Sequence, residues 1–342
     1  MSQPRVIIVG GGFAGLAAAK ALRKTPAEVI LIDRANHHLF QPLLYQVATA
    51  VLTPSQIATP IRTILRNQKN VTVIMGEVTG VDKERKQIIV SDADRQEVPL
   101  AYDYLIIASG ATHSYFGHNE FEEFAPGMKS VADAVSSRNR ILQAFEQAEA
   151  EEDPTRHRDL LTFVLIGAGP TGVEMAGALA VLIRGSLKSE FRRINPASAR
   201  IVLADMAPRV LPPFSEDLSE SAKRRLESLG VEVRLGHSVD RIDADGIVVG
   251  GERIASKTVI WTAGVARGQV AESGNRPRRP RACSKRCHRA RTPGDLCRRR
   301  YGVIRRKRQA ASRRCPGGHA ARSLCRKGPS RSHNRQHAAQ AV

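Results

Sequence analysis

The chain twice runs an apolar strand into a glycine-spaced turn and on into a helix-compatible stretch, and few folds accept that pattern. The first instance is Val6-Ile7-Ile8-Val9 followed by Gly10-x-Gly12-x-x-Gly15; the second is Phe163-Val164-Leu165-Ile166 followed by Gly167-x-Gly169-x-x-Gly172. The physical demands are the same at both. A buried parallel strand ends in a tight turn that glycine tolerates, a second glycine lets the backbone approach a pyrophosphate, and a third lets the helix pack close to the strand. The helix N-terminus then offers free N–H groups and partial positive charge to the phosphates. A lone glycine motif of this kind is a weak signal, but here each follows an apolar run and opens a helix, the context it requires. The pattern predicts an α/β fold with two Rossmann-like dinucleotide-binding domains. Two dinucleotides in one chain are the arrangement needed to pass electrons.

Each cradle is followed by an acid at the end of another apolar strand. Val29-Ile30-Leu31-Ile32 runs into Asp33, at the separation expected of a ribose-binding carboxylate. Ile201-Val202-Leu203-Ala204 runs into Asp205, which comes later than usual, so the stretch from Leu182 to Ser198 must hold an enlarged helix or an insertion. A solvated strand end is the plainer reading of either acid. If Asp205 meets a ribose it repels a 2′-phosphate, which favours NADH over NADPH; Arg209, close by, weakens that preference.

The run Asp33-Arg34-Ala35-Asn36-His37-His38-Leu39-Phe40-Gln41-Pro42-Leu43-Leu44-Tyr45-Gln46-Val47-Ala48-Thr49 resembles the signature of the type II NADH dehydrogenases. These are single-subunit, FAD-dependent NADH:quinone oxidoreductases with a glutathione-reductase-like pair of dinucleotide domains. Tyr104-Leu105-Ile106-Ile107-Ala108-Ser109-Gly110 and Val259-Ile260-Trp261-Thr262-Ala263-Gly264 are similar to the family's strands that close the first half and follow the second domain. The likeness is dense from residue 3 to about residue 266 and absent beyond.

The resemblance implies FAD and NADH as cofactors and a membrane quinone as acceptor, without proton pumping. Carried over residue by residue, it places Gly10, Gly12 and Gly15 at the FAD pyrophosphate and Asp33 at its ribose. Arg34, Ser109 and Gly110 are also placed on that cofactor, and Val78 meets the adenine through its backbone. Gly167, Gly169, Thr171 and Gly172 would hold NADH, with Asp205 at its ribose. Glu174, two residues after the third glycine, is expected on the first turn of the second cradle helix as the catalytic carboxylate near nicotinamide and flavin. Favourable placement of an acid in a helix dipole is its plainer explanation. Pro42 and Gln46 would lie near the flavin ring and the quinone; taken alone they read as an ordinary loop with a proline turn. His37 and His38 suggest a metal by composition, but no Cys or acid is spaced to complete a ligand set. They read as structural, and no metal is expected.

The cysteines narrow the chemistry. All five (Cys283, Cys287, Cys297, Cys315 and Cys325) lie beyond residue 266. Disulfide reductases of this fold need a redox-active thiol pair, and sulfide:quinone reductases also use Cys, so the body of this chain has no thiol to offer either chemistry. What remains is hydride from nicotinamide to flavin and electrons onward to another acceptor.

Along the chain, residues 1–112 read as the first part of an FAD domain, 113–159 as a connecting helix and linker, and 160–266 as the NAD domain. An amphipathic helix is expected over 130–150, with Val131, Val135, Leu142 and Phe145 near helical spacing. Another is expected from Asp217 to Leu229, followed by a strand from Val231 to Leu235. No basic n-region precedes an apolar stretch, and no apolar run reaches bilayer length. A cytoplasmic location is expected, with peripheral attachment to the cytoplasmic face of the membrane in an intact family member. A homodimer is left open.

Composition breaks at residue 267. From Arg267 to Val342 there are 20 Arg, 3 Lys and 2 acids, so the formal charge of +20 belongs to this segment and the body is close to neutral. The segment has no Phe, Trp or Met and cannot bury a core, which predicts disorder. A nucleic-acid or lipid-binding arm, a zinc site at Cys283, Cys287, His288 and Cys297, a solvated tail and an out-of-frame translation all compete as readings. The genetic code favours the last. Thr292 to Val303, written in allowed codons and read one nucleotide later, yields H-P-E-I-F-V-V-G-D-T-A-S, a strand ending in the Gly-Asp that closes this family's FAD domain. Gly268 to Gly274 and Pro316 to Lys327 also yield family-like segments. The expectation is that frame is lost near residue 267, that the membrane-binding part is lost with it, and that nucleic acid is not a partner. The chain as written would then retain flavin weakly. A soluble NADH-dependent reductase of another acceptor, or a non-enzymatic binding protein with a basic tail, are the alternatives.

Overall fold

The computed structural model describes residues 3–91 and 97–268. These lie in one compact unit, Met1–Arg279. The expectations for the basic segment beyond Gly268 (its disorder, its cysteines and its reading frame) fall outside the described residues.

Near-continuous apolar runs build two parallel sheets, as buried parallel strands require. In the first half the strands are β1 (Arg5–Val9), β2 (Glu28–Asp33), β3 (Val71–Met75) and β4 (Tyr104–Ile107), ordered β3-β2-β1-β4 and all parallel. A short strand β5 (Ala111–His113) leaves this sheet. In the second half β6 (Thr162–Ile166), β7 (Arg200–Asp205), β8 (Val231–Leu235) and β9 (Thr258–Trp261) repeat the order as β8-β7-β6-β9, again parallel. The chain then returns through β10 (Val265–Arg267), which pairs antiparallel with β5. The body therefore reaches past residue 266: the Gly268 amide donates to the Gly110 carbonyl at 2.9 Å.

Side-chain alternation gives each sheet two apolar faces. In the first, Ile8, Val29 and Leu31 pack on Leu16 and Ala19 of helix α1 (Phe13–Ala21), while Ile7, Val9, Ile30 and Ile32 pack on Val81, Ile88 and Val90. Those last three belong to an antiparallel sheet of Glu77–Asp82, Gln87–Ser91 and Val98–Ala101. In the second half, Val164, Ile166, Val202 and Ala204 face Ile242, Ile247, Val249 and Ile254 of the corresponding sheet, Val239–Asp243, Gly246–Val249 and Glu252–Ala255. The opposite face packs on helices. The expected helix over 130–150 is α2 (Val131–Ala150), and Phe145 stacks on Phe163 at 5.3 Å. The cradle helix is α3 (Pro170–Val181), and α4 is Glu216–Ser228, one residue earlier than predicted.

The late arrival of Asp205 has a local cause. After α3 the chain makes a π-helical turn, Leu182–Ser186, and an irregular stretch before β7 begins. The extra residues sit outside the sheet, so Asp205 keeps its register at the strand end. A short helix, Leu44–Ala48, inserts Leu44, Val47 and Ala48 into the core formed by α2 and α3. This joins the resemblance segment of the first half to the second cradle.

Candidate functional site

The two cradles are near replicas. Gly10 has φ +103° and Gly167 φ +112°, conformations that a Cβ would strain. A Cβ at Gly10 would also overlap the Ala108 carbonyl, and one at Gly167 would stand 2.6 Å from the Ala263 amide nitrogen. Gly15 and Gly172 pack so closely that any side chain would overlap the carbonyl oxygens of Gly10 and Gly167 respectively. The middle glycines differ: around Gly12 and Gly169 there is open space. Both cap their helices in extended backbone, with no side chain filling the N-terminus. A phosphate can approach the free N–H groups there.

The acids occupy equivalent positions too. Asp33 accepts from the Gly11 amide at 2.5 Å and the Ala35 amide at 2.7 Å. Asp205 accepts from the Ala168 amide at 2.5 Å and the Ala207 amide at 2.8 Å. Each carboxylate thus ties the strand end to its glycine turn and is more than a solvated strand end. Arg209 does not compete at Asp205: its guanidinium donates to Glu216 and to the Pro212 carbonyl, both at 3.0 Å.

Two cavities open at the carboxyl ends of the sheets, where α/β folds take ligands. The first, about 290 Å³, is lined by Gly10, Asp33, Arg34, Val78 and Ser109, so it gathers five of the residues singled out for the first cofactor. Ser109 also donates its hydroxyl to the Gly268 carbonyl at 2.7 Å. Gly110, with φ +73°, turns the chain beside it. The second cavity, about 530 Å³, is lined by Gly167, Gly169, Thr171 and Asp205 of the expected set. Gly15 and Gly172 do not line the cavities; their role is packing.

Other placements differ from expectation. Glu174 is the fifth residue of α3, beyond its first turn, and α3 has no acid in that turn. It is exposed and does not line the second cavity, although partial desolvation raises its carboxyl above the ordinary value. Pro42 lies in a 3-10 turn, Gln41–Leu43, and Gln46 in the following short helix, donating to the Tyr45 hydroxyl at 3.0 Å. Neither lines either of these cavities, but the Leu44–Ala48 helix that carries Gln46 packs on α3, the element that carries Glu174. His37 and His38 pair with the strand Ala58–Pro60, and His38 Nδ1 lies 3.1 Å from the Gly11 carbonyl. Among the described residues no group of three metal-ligating side chains is close enough to hold an ion.

Several lining residues were not singled out for the site in the sequence. Tyr115, Phe116, Lys129 and Trp261 wall the second cavity. Trp261 ends a recognisable strand, but the others sit in the irregular crossing between the halves. Burial, with the charge of Glu122 nearby, pushes the Tyr115 hydroxyl up to about 12, and it donates to the Ala125 carbonyl at 3.1 Å. Tyr115 is therefore a neutral wall at physiological pH. Burial lowers the Lys129 ammonium below the ordinary lysine range.

Comparison with known proteins agrees with this architecture. Residues 4–277 match the family described as pyridine nucleotide-disulphide oxidoreductase. The type II NADH:quinone oxidoreductases Ndh and NdhA of Mycobacterium tuberculosis are 50% and 48% identical over 267 residues. Those matches cover 77% of this chain but 58% and 57% of the relatives, so the chain spans a little over half their length. A solved structure of NDH2 from Plasmodium falciparum in complex with NADH superimposes with a TM-score of 0.74 at 26% identity, covering 78% of this chain and 56% of that one.

Proposed function

This chain belongs to the pyridine nucleotide-disulphide oxidoreductases and is related within them to the type II NADH:quinone oxidoreductases, and we propose that its Gly10 cradle is an FAD site and its Gly167 cradle an NADH site, built for passing electrons to a membrane quinone, with flavin retention and quinone reduction impaired in the chain as written. The duplicated glycine–acid geometry carries this reading, since each copy leaves one glycine open where a pyrophosphate would lie.

The first site fits the adenosine end of FAD. Open space at Gly12 and the free N-terminus of α1 suit its pyrophosphate, Asp33 its ribose, and Arg34 and Val78 line the remainder. Bound there, FAD supplies the chemistry that takes hydride from NADH and releases electrons to quinone. In the second site Gly169 admits the NADH pyrophosphate, and Asp205 disfavours a 2′-phosphate. Glu174 presents a carboxylate of raised pKa from the helix against which the Leu44–Ala48 helix, with Gln46, packs. We assign it the task of orienting the reacting rings between the halves. The absence of Cys from residues 1–282 leaves no thiol pair to divert electrons to a disulfide.

The same reading covers the basic segment: the chain leaves its family's frame near residue 267. The start of the Arg-rich composition supports this, and so does the exposed apolar edge of β4 at Tyr104 and Ile107. Sequencing the DNA across codons 260–275 tests it; an uninterrupted frame yielding an active product overturns it.

The functional test is to titrate the purified chain with FAD and NADH and to follow NADH oxidation with a soluble quinone analogue. Substitution of Gly12 should weaken FAD binding, and substitution of Gly169 should raise severalfold the NADH concentration needed for half-maximal oxidation. Oxidation that proceeds with small redox proteins but not with quinone would replace the acceptor, and a chain that binds no NADH would overturn the reading.

A further inference from the structure

We propose that Lys129 is a binding residue for the pyrophosphate of the nicotinamide dinucleotide, an inference that rests on the NADH site proposed above. Lys129 lines the 530 Å³ cavity of the second cradle together with Gly167, Gly169 and Thr171. It is half-buried, and among the described residues its ammonium has neither a hydrogen-bond acceptor nor an ion-pair partner.

The neighbouring charges are already committed. Asp133 spends its carboxylate on the Lys129 amide at 3.0 Å, the Ser130 amide at 2.8 Å and the His113 ring at 3.6 Å. His118, the other basic residue on the cavity wall, lies 3.1 Å from Glu120. Asp205, the acid on this wall, caps two backbone amides. A cation partly withdrawn from water without a counter-charge carries a desolvation cost, which an entering anion offsets. The glycine turn and helix N-terminus supply N–H groups but no full positive charge, whereas a pyrophosphate carries two negative charges.

The backbone holds Lys129 in place from both sides. On one side, Gly127 bridges to Trp261, and the Trp261 amide donates to the Pro126 carbonyl at 3.0 Å. This pins the segment to the carboxyl end of β9. On the other side, the cap of α2 begins at Ser130. Lys129 is therefore delivered to the ligand end of the sheet by two fixed elements, in the lining of the cavity it shares with the glycine cradle.

The test is binding to the full chain, followed by NADH fluorescence and needing no flavin, for wild type, Lys129→Met and Lys129→Arg. Lys129→Met should weaken NADH and ADP-ribose alike by about tenfold and leave adenosine unaffected. Lys129→Arg should restore most of the affinity. Added salt should weaken NADH binding less steeply in Lys129→Met than in wild type, a difference that loss of packing alone would not produce. Unchanged NADH affinity in Lys129→Met, or an equal loss for adenosine, overturns the role of Lys129. A wild type that binds no NADH overturns the cradle reading and this inference with it.

Discussion

A methyl group divides the cradle glycines into two kinds. At Gly172 it would overlap a backbone oxygen that cannot move without breaking the strand–helix join, so Gly172→Ala should destabilise the chain by about 3 kcal/mol. At Gly169 the backbone is ordinary and the space open, so Gly169→Ala should change stability by no more than about 0.5 kcal/mol. It should nonetheless weaken NADH binding severalfold, because the methyl fills the ligand's place. Thermal denaturation and NADH titration of the two variants separate packing from binding; equal effects on both measurements would refute the division. Asp205 supports a second prediction. Arg209 is tied to Glu216 and Pro212, so on the proposed NADH reading Asp205 is the group that would repel a 2′-phosphate. Asp205→Asn should narrow the ratio of NADH to NADPH affinity about tenfold, read by parallel titrations. The glycines and Asp33 were legible from motif spacing, and Asp205 from its place at the end of an apolar strand. Lys129 and Tyr115 were not, since they reach the cavity from a crossing segment with no periodic pattern.

Helix α2 shows how one element's cap carries pH dependence. Ser130 accepts from the Asp133 amide at 3.1 Å, and Asp133 accepts in return from the Ser130 amide at 2.8 Å. Burial pushes the Asp133 carboxyl up, but bonds from His113, Lys129 and Ser130 outweigh it and hold the group at about 2. A depressed carboxylate stabilises the fold fully above its unfolded value near 4, and that stabilisation is lost as pH falls toward 2. Asp133→Asn should therefore cost about 1–2 kcal/mol at neutral pH after allowance for solvent screening. The gap from wild type should close below about pH 4 in urea melts; a gap independent of pH would refute the assignment. The closing strands make a different contrast. β9 is buried along its whole length, whereas its counterpart β4 leaves Tyr104 63% and Ile107 53% exposed. An exposed apolar edge invites association. Ile107→Lys should lower light scattering at a given protein concentration without lowering the melting temperature; unchanged scattering would show that β4 is not the adhesive surface.

At the scale of the whole molecule, the halves share one core and one small ladder. Leu44, Val47 and Ala48 from the first half lie among Ile141, Phe145 and Met175, and β5 pairs with β10. On the out-of-frame reading, the first half lacks the strand and Gly-Asp turn that would complete its cofactor site, while the second half is complete through β9. The purified chain should then bind NADH but carry flavin well below one equivalent, measured by absorbance after denaturation; a stoichiometric yellow protein would contradict that reading. The sequence by itself determined the two sheets, the glycine cradles and their acids, because strand burial, turn stereochemistry and motif spacing are local constraints written into consecutive residues. It also marked the break at residue 267 through charge and composition. Only the tertiary structure decided that the insertion after α3 leaves Asp205 in register, that Glu174 stands beyond the first turn, and that Lys129 shares a cavity lining with the second cradle. Those facts depend on how distant segments pack and cross, and residue spacing along the chain does not encode such contacts.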